Sequence, residues 1–131
     1  MRKIKFRFRL EDKITKEIIM VYAELYNPKY SSDLMQYPIN LEEFNVLSID
    51  EYTGLRDKNA KEIYEGDVIR HKNPKPFKDS IYKVVFLNGG FAIKNSDYVE
   101  DLNEFLKGSS SAEVVGNIYE NLDLLKGCNN G

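Results

Sequence analysis

From Tyr52 to Ile69 the chain reads Y-T-G-L-R-D-K-N-A-K-E-I-Y-E-G-D-V-I, and from Val114 to Leu125 it reads V-V-G-N-I-Y-E-N-L-D-L-L. Both segments set Gly, Asn and Asp between short apolar runs, the composition of tight turns joining short strands. A chain punctuated this often does not sustain long helices, so its core has to come from strands laid side by side. The same residues specify backbone shape and contain no catalytic constellation.

Upstream, Ile4, Phe6, Phe8 and Leu10 alternate with Lys5, Arg7 and Arg9. That period of two predicts a strand with Phe6 and Phe8 facing inward and Arg7 and Arg9 facing water. Glu17 to Glu24 has the branched and aromatic content of a return strand, which makes an antiparallel hairpin. Pro28, Ser31, Ser32 and Pro38 break any regular pattern between Tyr26 and Leu41. Beyond them a brief helical turn near Leu41, a strand from Phe44 to Ile49 and a turn at Gly54 are expected. Gly66-Asp67 is expected to bend the chain into the strand at Val68, with Gly66 where a side chain has no room and Asp67 capping its own turn. Asn88-Gly89 is the dipeptide that two-residue hairpin loops favour, so Gly89 turns the chain between strands at Ser80–Leu87 and Gly90–Lys94. Tyr98, Val99, Leu102, Phe105 and Leu106 fall at helical spacing, with Ser96 or Asp97 as cap and Gly108 past the end. Gly116 reads as a structural turn in the closing segment Glu113 to Tyr119, and Asn121 as the cap of a last helical turn.

The expected fold is mainly β with minor α: a small SH3-like barrel with an N-terminal β-hairpin and one or two short helices. Residues 1–126 read as a single domain, with hairpin and irregular loop over 1–49 and a barrel-like lobe over 50–126. Residues 127–131 read as a flexible tail. A length of 131 residues suits one core without disulfides or metal.

Composition narrows the chemistry. The one histidine, His71, and the one cysteine, Cys128 in the tail, leave no second histidine for a zinc site and make a Cys-His nucleophilic pair remote. Asp50, Glu51 and Asp57 match no calcium-loop spacing and read as solvated acids. Asn88-Gly89-Gly90 lacks the lysine and following helix of a phosphate cradle. No metal, cofactor or catalytic residue is expected, and the chain reads as a non-enzyme. The short apolar runs give no membrane span, and a lone cysteine fits a reducing, cytoplasmic compartment.

Charge is distributed unevenly. Net charge is −2, yet Arg2, Lys3, Lys5, Arg7 and Arg9 at one point and Arg70, Lys72, Lys75 and Lys78 at another form two acid-free basic stretches. They leave 10 basic against 21 acidic residues in the rest of the chain. Lys5, Arg7, Arg9, Arg70, Lys72, Lys75 and Lys78 are therefore candidate contacts for a nucleic-acid backbone, and a solvated strand face with a polar loop explains the same residues. Tyr26, Tyr30 and Tyr37, set around Pro28 and Pro38, are candidate anchors of a protein interface or packing residues of the core.

Five motifs are shared with a known family: R-K-I-K-F-R at Arg2–Arg7, T-G-L at Thr53–Leu55, K-E-I-Y-E-G-D-V at Lys61–Val68, V-F-L-N-G-G-F at Val85–Phe91 and V-G-N-I-Y-E-N at Val115–Asn121. In these the chain resembles the YopX family of small phage and prophage proteins. The resemblance implies a phage gene acting in the host cytoplasm and brings no catalytic residues with it. Two positions depart from the family pattern. Ala60 stands where Gly is usual, which shifts the expected left-handed residue to Asn59, and Asp50-Glu51 replaces Met-Gln. The reading is a non-enzymatic binding or adaptor module for a host or phage protein, or for a second copy of the chain. The alternative is weak, sequence-independent nucleic-acid binding.

Overall fold

A computed structural model describes residues 3–25, 41–121, 123 and 125. The chain divides into two compact units, Met1–Gly54 and Leu55–Gly131.

In the first unit β1 (Ile4–Asp12) and β2 (Ile18–Leu25) form the antiparallel hairpin, with Phe6 opposite Ala23 and Phe8 opposite Val21. Asp12 builds the turn: its side chain accepts the N–H groups of Ile14 and Thr15 at 2.8 and 2.9 Å. Those donors favour the ionised form and hold the Asp12 carboxyl below its usual range. A short 3-10 turn at Leu41–Glu43 leads into β3 (Phe44–Arg56), which lies along the other side of β1. Phe8, Leu10, Val21 and Ala23 form the buried cluster, with Phe6, Ile19 and Phe44 packed against it.

β1 is thus an inner strand with ladders on both sides, and this overturns the expected exposure of its arginines. Arg7 is 6% and Arg9 8% exposed. The register sets Arg7 directly opposite Asp50 on β3, so a carboxylate meets the guanidinium where the sequence alone suggested water. Gly54 also departs from expectation. It lies within β3 at φ 84° and does not reverse the chain. A strand admits such a local kink at glycine because no Cβ opposes it.

The second unit contains β4 (Glu62–Tyr64), β5 (Asp67–His71), β6 (Ser80–Leu87), β7 (Gly90–Lys94), β8 (Val99–Asp101), α1 (Leu102–Gly108) and β9 (Glu113–Asn117). Five of these strands form an antiparallel sheet in the order β8-β7-β6-β5-β9. It is open, with β8 and β9 as its edges, and so is not the closed ring of a barrel. Both of its faces carry buried residues. Ile69, Tyr82, Val84 and Ile93 point to one face with Leu102, Phe105 and Ala112, while Val68 and Ile81 point to the other with Leu125.

Local turn chemistry positions these strands. Gly66 has φ 88° and Asp67 Oδ2 accepts the Tyr64 N–H at 2.8 Å, closing the bend before β5. Asn88 and Gly89 both have positive φ, as the tight hairpin loop requires. Ala60, and not Asn59, takes the left-handed conformation at φ 64°. Asp57 imposes it: its Oδ1 accepts the N–H groups of Asn59 and Lys61 at 2.8 and 2.9 Å, and its Oδ2 accepts that of Val114 at 2.8 Å. Gly116 lies within β9 and not in a turn; a Cβ there would meet Asn121 Oδ1 at 2.2 Å. The helix begins later than its apolar spacing suggests. Asp101 caps it by accepting the Glu104 N–H at 3.0 Å, and Val99 belongs to β8, paired with Lys94 of β7.

Candidate functional site

The two basic stretches fare differently. In the first unit, Arg7 Nε donates to Asp50 Oδ2 at 3.0 Å, and Nη2 approaches the same oxygen at 3.0 Å. Lys5 lies 5.8 Å from the centre of the buried Tyr52 ring, a cation–π arrangement. Arg9 is buried beside Ser48 in the register. Arg7 and Arg9 are therefore parts of the unit's interior.

In the second unit Arg70 faces Glu113 across β5 and β9 and forms an ion pair with it; Asp79 stands 3.9 Å from Arg70 Nε. Hydrogen bonding from Arg70 holds the Glu113 carboxyl below its usual range, with Lys58 and Asn59 adding to the effect. Lys72, Lys75 and Lys78 are exposed and have no acidic partner among the described residues. Their loop has an internal brace: Asn73 Nδ2 donates to Lys78 O and to Ser80 Oγ at 2.8 Å each, and Phe77 N–H donates to Pro74 O at 3.0 Å. At its tip Phe77 is 71% exposed. Of the seven basic candidates, these three lysines remain available on the surface. Tyr26, Tyr30 and Tyr37 lie outside the described residues.

Two surface features of the second unit were not legible in the sequence. The first is an apolar edge. Val99 is 50% exposed and Leu87 is exposed on the same face of the sheet, whereas the register puts Phe86, 53% exposed and edge-to-face with Phe91 at 5.3 Å, on the opposite face with Ile93. A groove of about 490 Å³ runs between the β6–β7 hairpin and β8.

The second feature is a smaller aromatic groove of about 270 Å³. Tyr82 and Phe105 form its floor, with ring centres 5.3 Å apart and nearly perpendicular planes. His71 forms one side, edge-on to Phe105 at 5.9 Å, with the Ser109 and Ser111 hydroxyls within hydrogen-bonding distance of its Nδ1. Tyr98 forms the other side, 6.1 Å from Tyr82. Asn95 positions it, since its N–H donates to Tyr98 O at 3.0 Å and its side chain accepts the Asp97 N–H at 2.9 Å. The Tyr98 hydroxyl donates to Glu100 Oε1 at 3.0 Å, which raises its pKa. His71 ends β5, Tyr82 lies in β6, Tyr98 immediately precedes β8 and Phe105 lies in α1, so no local sequence pattern announces the groove.

Among the described residues no group of three or more His, Cys, Asp or Glu side chains is placed to hold a metal ion, and no helix is long and apolar enough to cross a membrane. Known proteins offer two points of comparison. Similar solved structures include the crystal structure of protein EF1440 from Enterococcus faecalis, at 27% identity and a TM-score of 0.53, with 92% of this chain and 97% of that one covered. No protein with a curated description matches the chain. The family model described as YopX protein matches residues 7–126. That span takes in both units and the T-G-L, K-E-I-Y-E-G-D-V, V-F-L-N-G-G-F and V-G-N-I-Y-E-N motifs, and the chain belongs to the YopX family.

Proposed function

We propose that this protein is a phage- or prophage-encoded, non-enzymatic binding or adaptor module that engages a host or phage protein in the host cytoplasm. Its second unit serves as an opened-out form of the small SH3-like barrel, with the open edge as the docking element. The observation that carries this reading is the groove bordered by the exposed Leu87 and Val99 along the short edge strand β8. Exposed apolar residues gathered beside unpaired backbone groups favour an added strand from a partner. Affinity capture from lysogenic cells with the intact protein, with and without nuclease, tests it. A nuclease-resistant partner is expected, and its yield should fall in a Leu87→Ser/Val99→Ser double variant. Capture unchanged by that variant counts against the edge.

A second reading is favoured by the braced loop that presents Lys72, Lys75 and Lys78 around an exposed Phe77. Three cations and one ring suit weak contact with nucleic-acid phosphates and a stacked base. Here a low-salt gel shift should show a complex whose affinity falls with salt, and Lys72→Glu/Lys75→Glu/Lys78→Glu should abolish it. Absence of any complex removes this reading and leaves the protein partner.

A further inference from the structure

The aromatic groove of the second unit has a chemistry that neither reading uses. Four rings, His71, Tyr82, Tyr98 and Phe105, line one small cavity, and among the described residues the only formally charged side chains lining it are the carboxylates of Glu100 and Glu104. Ring faces carry negative quadrupole density, and nearby carboxylates deepen the same field. The hydrogen bond from the Tyr98 hydroxyl to Glu100 pushes electron density onto the phenol and strengthens that ring as a cation acceptor. Lys107 approaches Glu104 Oε1 at 3.4 Å, but both side chains are well exposed and this pair is weak. A volume of about 270 Å³ is below that of a drug-sized pocket and suits a single head group.

From this geometry we infer that the groove is a recognition site for an organic cation, an alkylammonium or guanidinium head, held against the half-exposed Tyr98 ring, with the buried Tyr82 and Phe105 rings beneath and Glu100 as counter-charge. The cation is either a free small molecule or the side chain of a partner's lysine or arginine; the head-group chemistry is common to both. The inference does not need the apolar edge, so failure of the Leu87→Ser/Val99→Ser test leaves it standing.

The test is titration of the full chain with choline, arginine amide and a short Arg- and Lys-containing peptide, followed by the aromatic NMR resonances of His71, Tyr82, Tyr98 and Phe105. Saturable shifts confined to these rings are expected. The neutral choline isostere 3,3-dimethylbutan-1-ol should bind about tenfold more weakly, in keeping with a partly desolvated cation–π contact. Tyr98→Leu and Glu100→Gln should each weaken choline or arginine binding about three- to tenfold, whereas Tyr98→Phe retains the ring and loses less. Both residues lie near the surface, and unchanged circular dichroism would exclude misfolding; Glu100→Gln alone suffices if Tyr98→Leu misfolds. Tighter binding of the peptide than of arginine amide assigns the site to a partner's side chain, and equal or weaker binding assigns it to a free cation. Equal binding of choline and its isostere, or no saturable shift with cations on the order of 10 mM, where affinity is barely above that of casual contact, overturns the inference.

Discussion

Arg7 on β1 and the lysines of the 72–78 loop look alike in sequence, each a cation beside apolar or aromatic neighbours, yet one is buried and the others are exposed. The difference lies in what surrounds each backbone. β1 has a partner strand on both sides, so each of its side chains meets a residue chosen by register, and Arg7 meets Asp50. The loop is braced through its own backbone and Asn73, which leaves its side chains pointing outward. A basic stretch therefore stays exposed only where topology denies it a carboxylate.

The largest expected effect tests the buried end of this comparison. Asp50→Ala strands the Arg7 guanidinium in the interior and should cost about 3–5 kcal/mol in urea unfolding. Replacing Arg7 and Asp50 together with apolar residues of similar volume should recover most of that loss. An Asp50→Ala variant as stable as the parent would return Arg7 to the surface candidates. Next comes Asp57, a buried carboxylate that accepts backbone amides. Asp57→Ala removes three charge-assisted bonds and should cost about 2–3 kcal/mol, measured in the same way. If it costs nothing, the left-handed Ala60 turn does not depend on it.

A smaller effect is expected from acid. Asp12 and Glu113 both have carboxyl pKa values lowered in the folded chain, by the Thr15 and Ile14 amides and by Arg70 respectively. Groups shifted in that direction contribute stability that is present above the ordinary carboxylate range and lost as pH falls through it. The urea midpoint should therefore drop as pH falls below about 4.5 toward the lowered folded values, and Glu113→Gln should flatten part of that slope. A slope unchanged in Glu113→Gln would separate the Arg70 pair from acid stability. At the exposed end, Lys72→Glu/Lys75→Glu/Lys78→Glu should alter stability by no more than about 0.5 kcal/mol. A larger loss would show that the loop lysines hold structure as Arg7 does.

The parts of the fold legible in the sequence are those set by near neighbours. The alternation of Ile4 to Leu10 marks β1, and Asn88-Gly89 marks the β6–β7 hairpin. What escaped depends on residues far apart. Asp50 lies 43 positions from Arg7, and no local pattern announces the pair. The helix start was misplaced because Tyr98 and Val99 share its spacing, while pairing of Val99 with Lys94 claims them for a strand edge. The aromatic groove combines a histidine at the end of β5, a tyrosine in β6, another beside β8 and a phenylalanine in α1, so only the assembled sheet reveals it.

The sheet order bears on how the protein emerges from the ribosome. β5 lies between β6 and β9, and Asp57 is tied to Val114, 57 positions further on. When β5 and β6 have already paired, the other side of β5 still presents bare amides and carbonyls, with Val68 and Ile69 beside them, until Glu113 to Asn117 has been translated. At roughly 5–20 residues per second this gap of thirty residues, from Leu87 to Asn117, lasts a few seconds. For that interval the nascent chain carries a central strand paired on one side only, a feature apt to recruit a foreign strand or a chaperone. Synthesis order, rather than the finished fold, sets the moment of greatest exposure to misassembly.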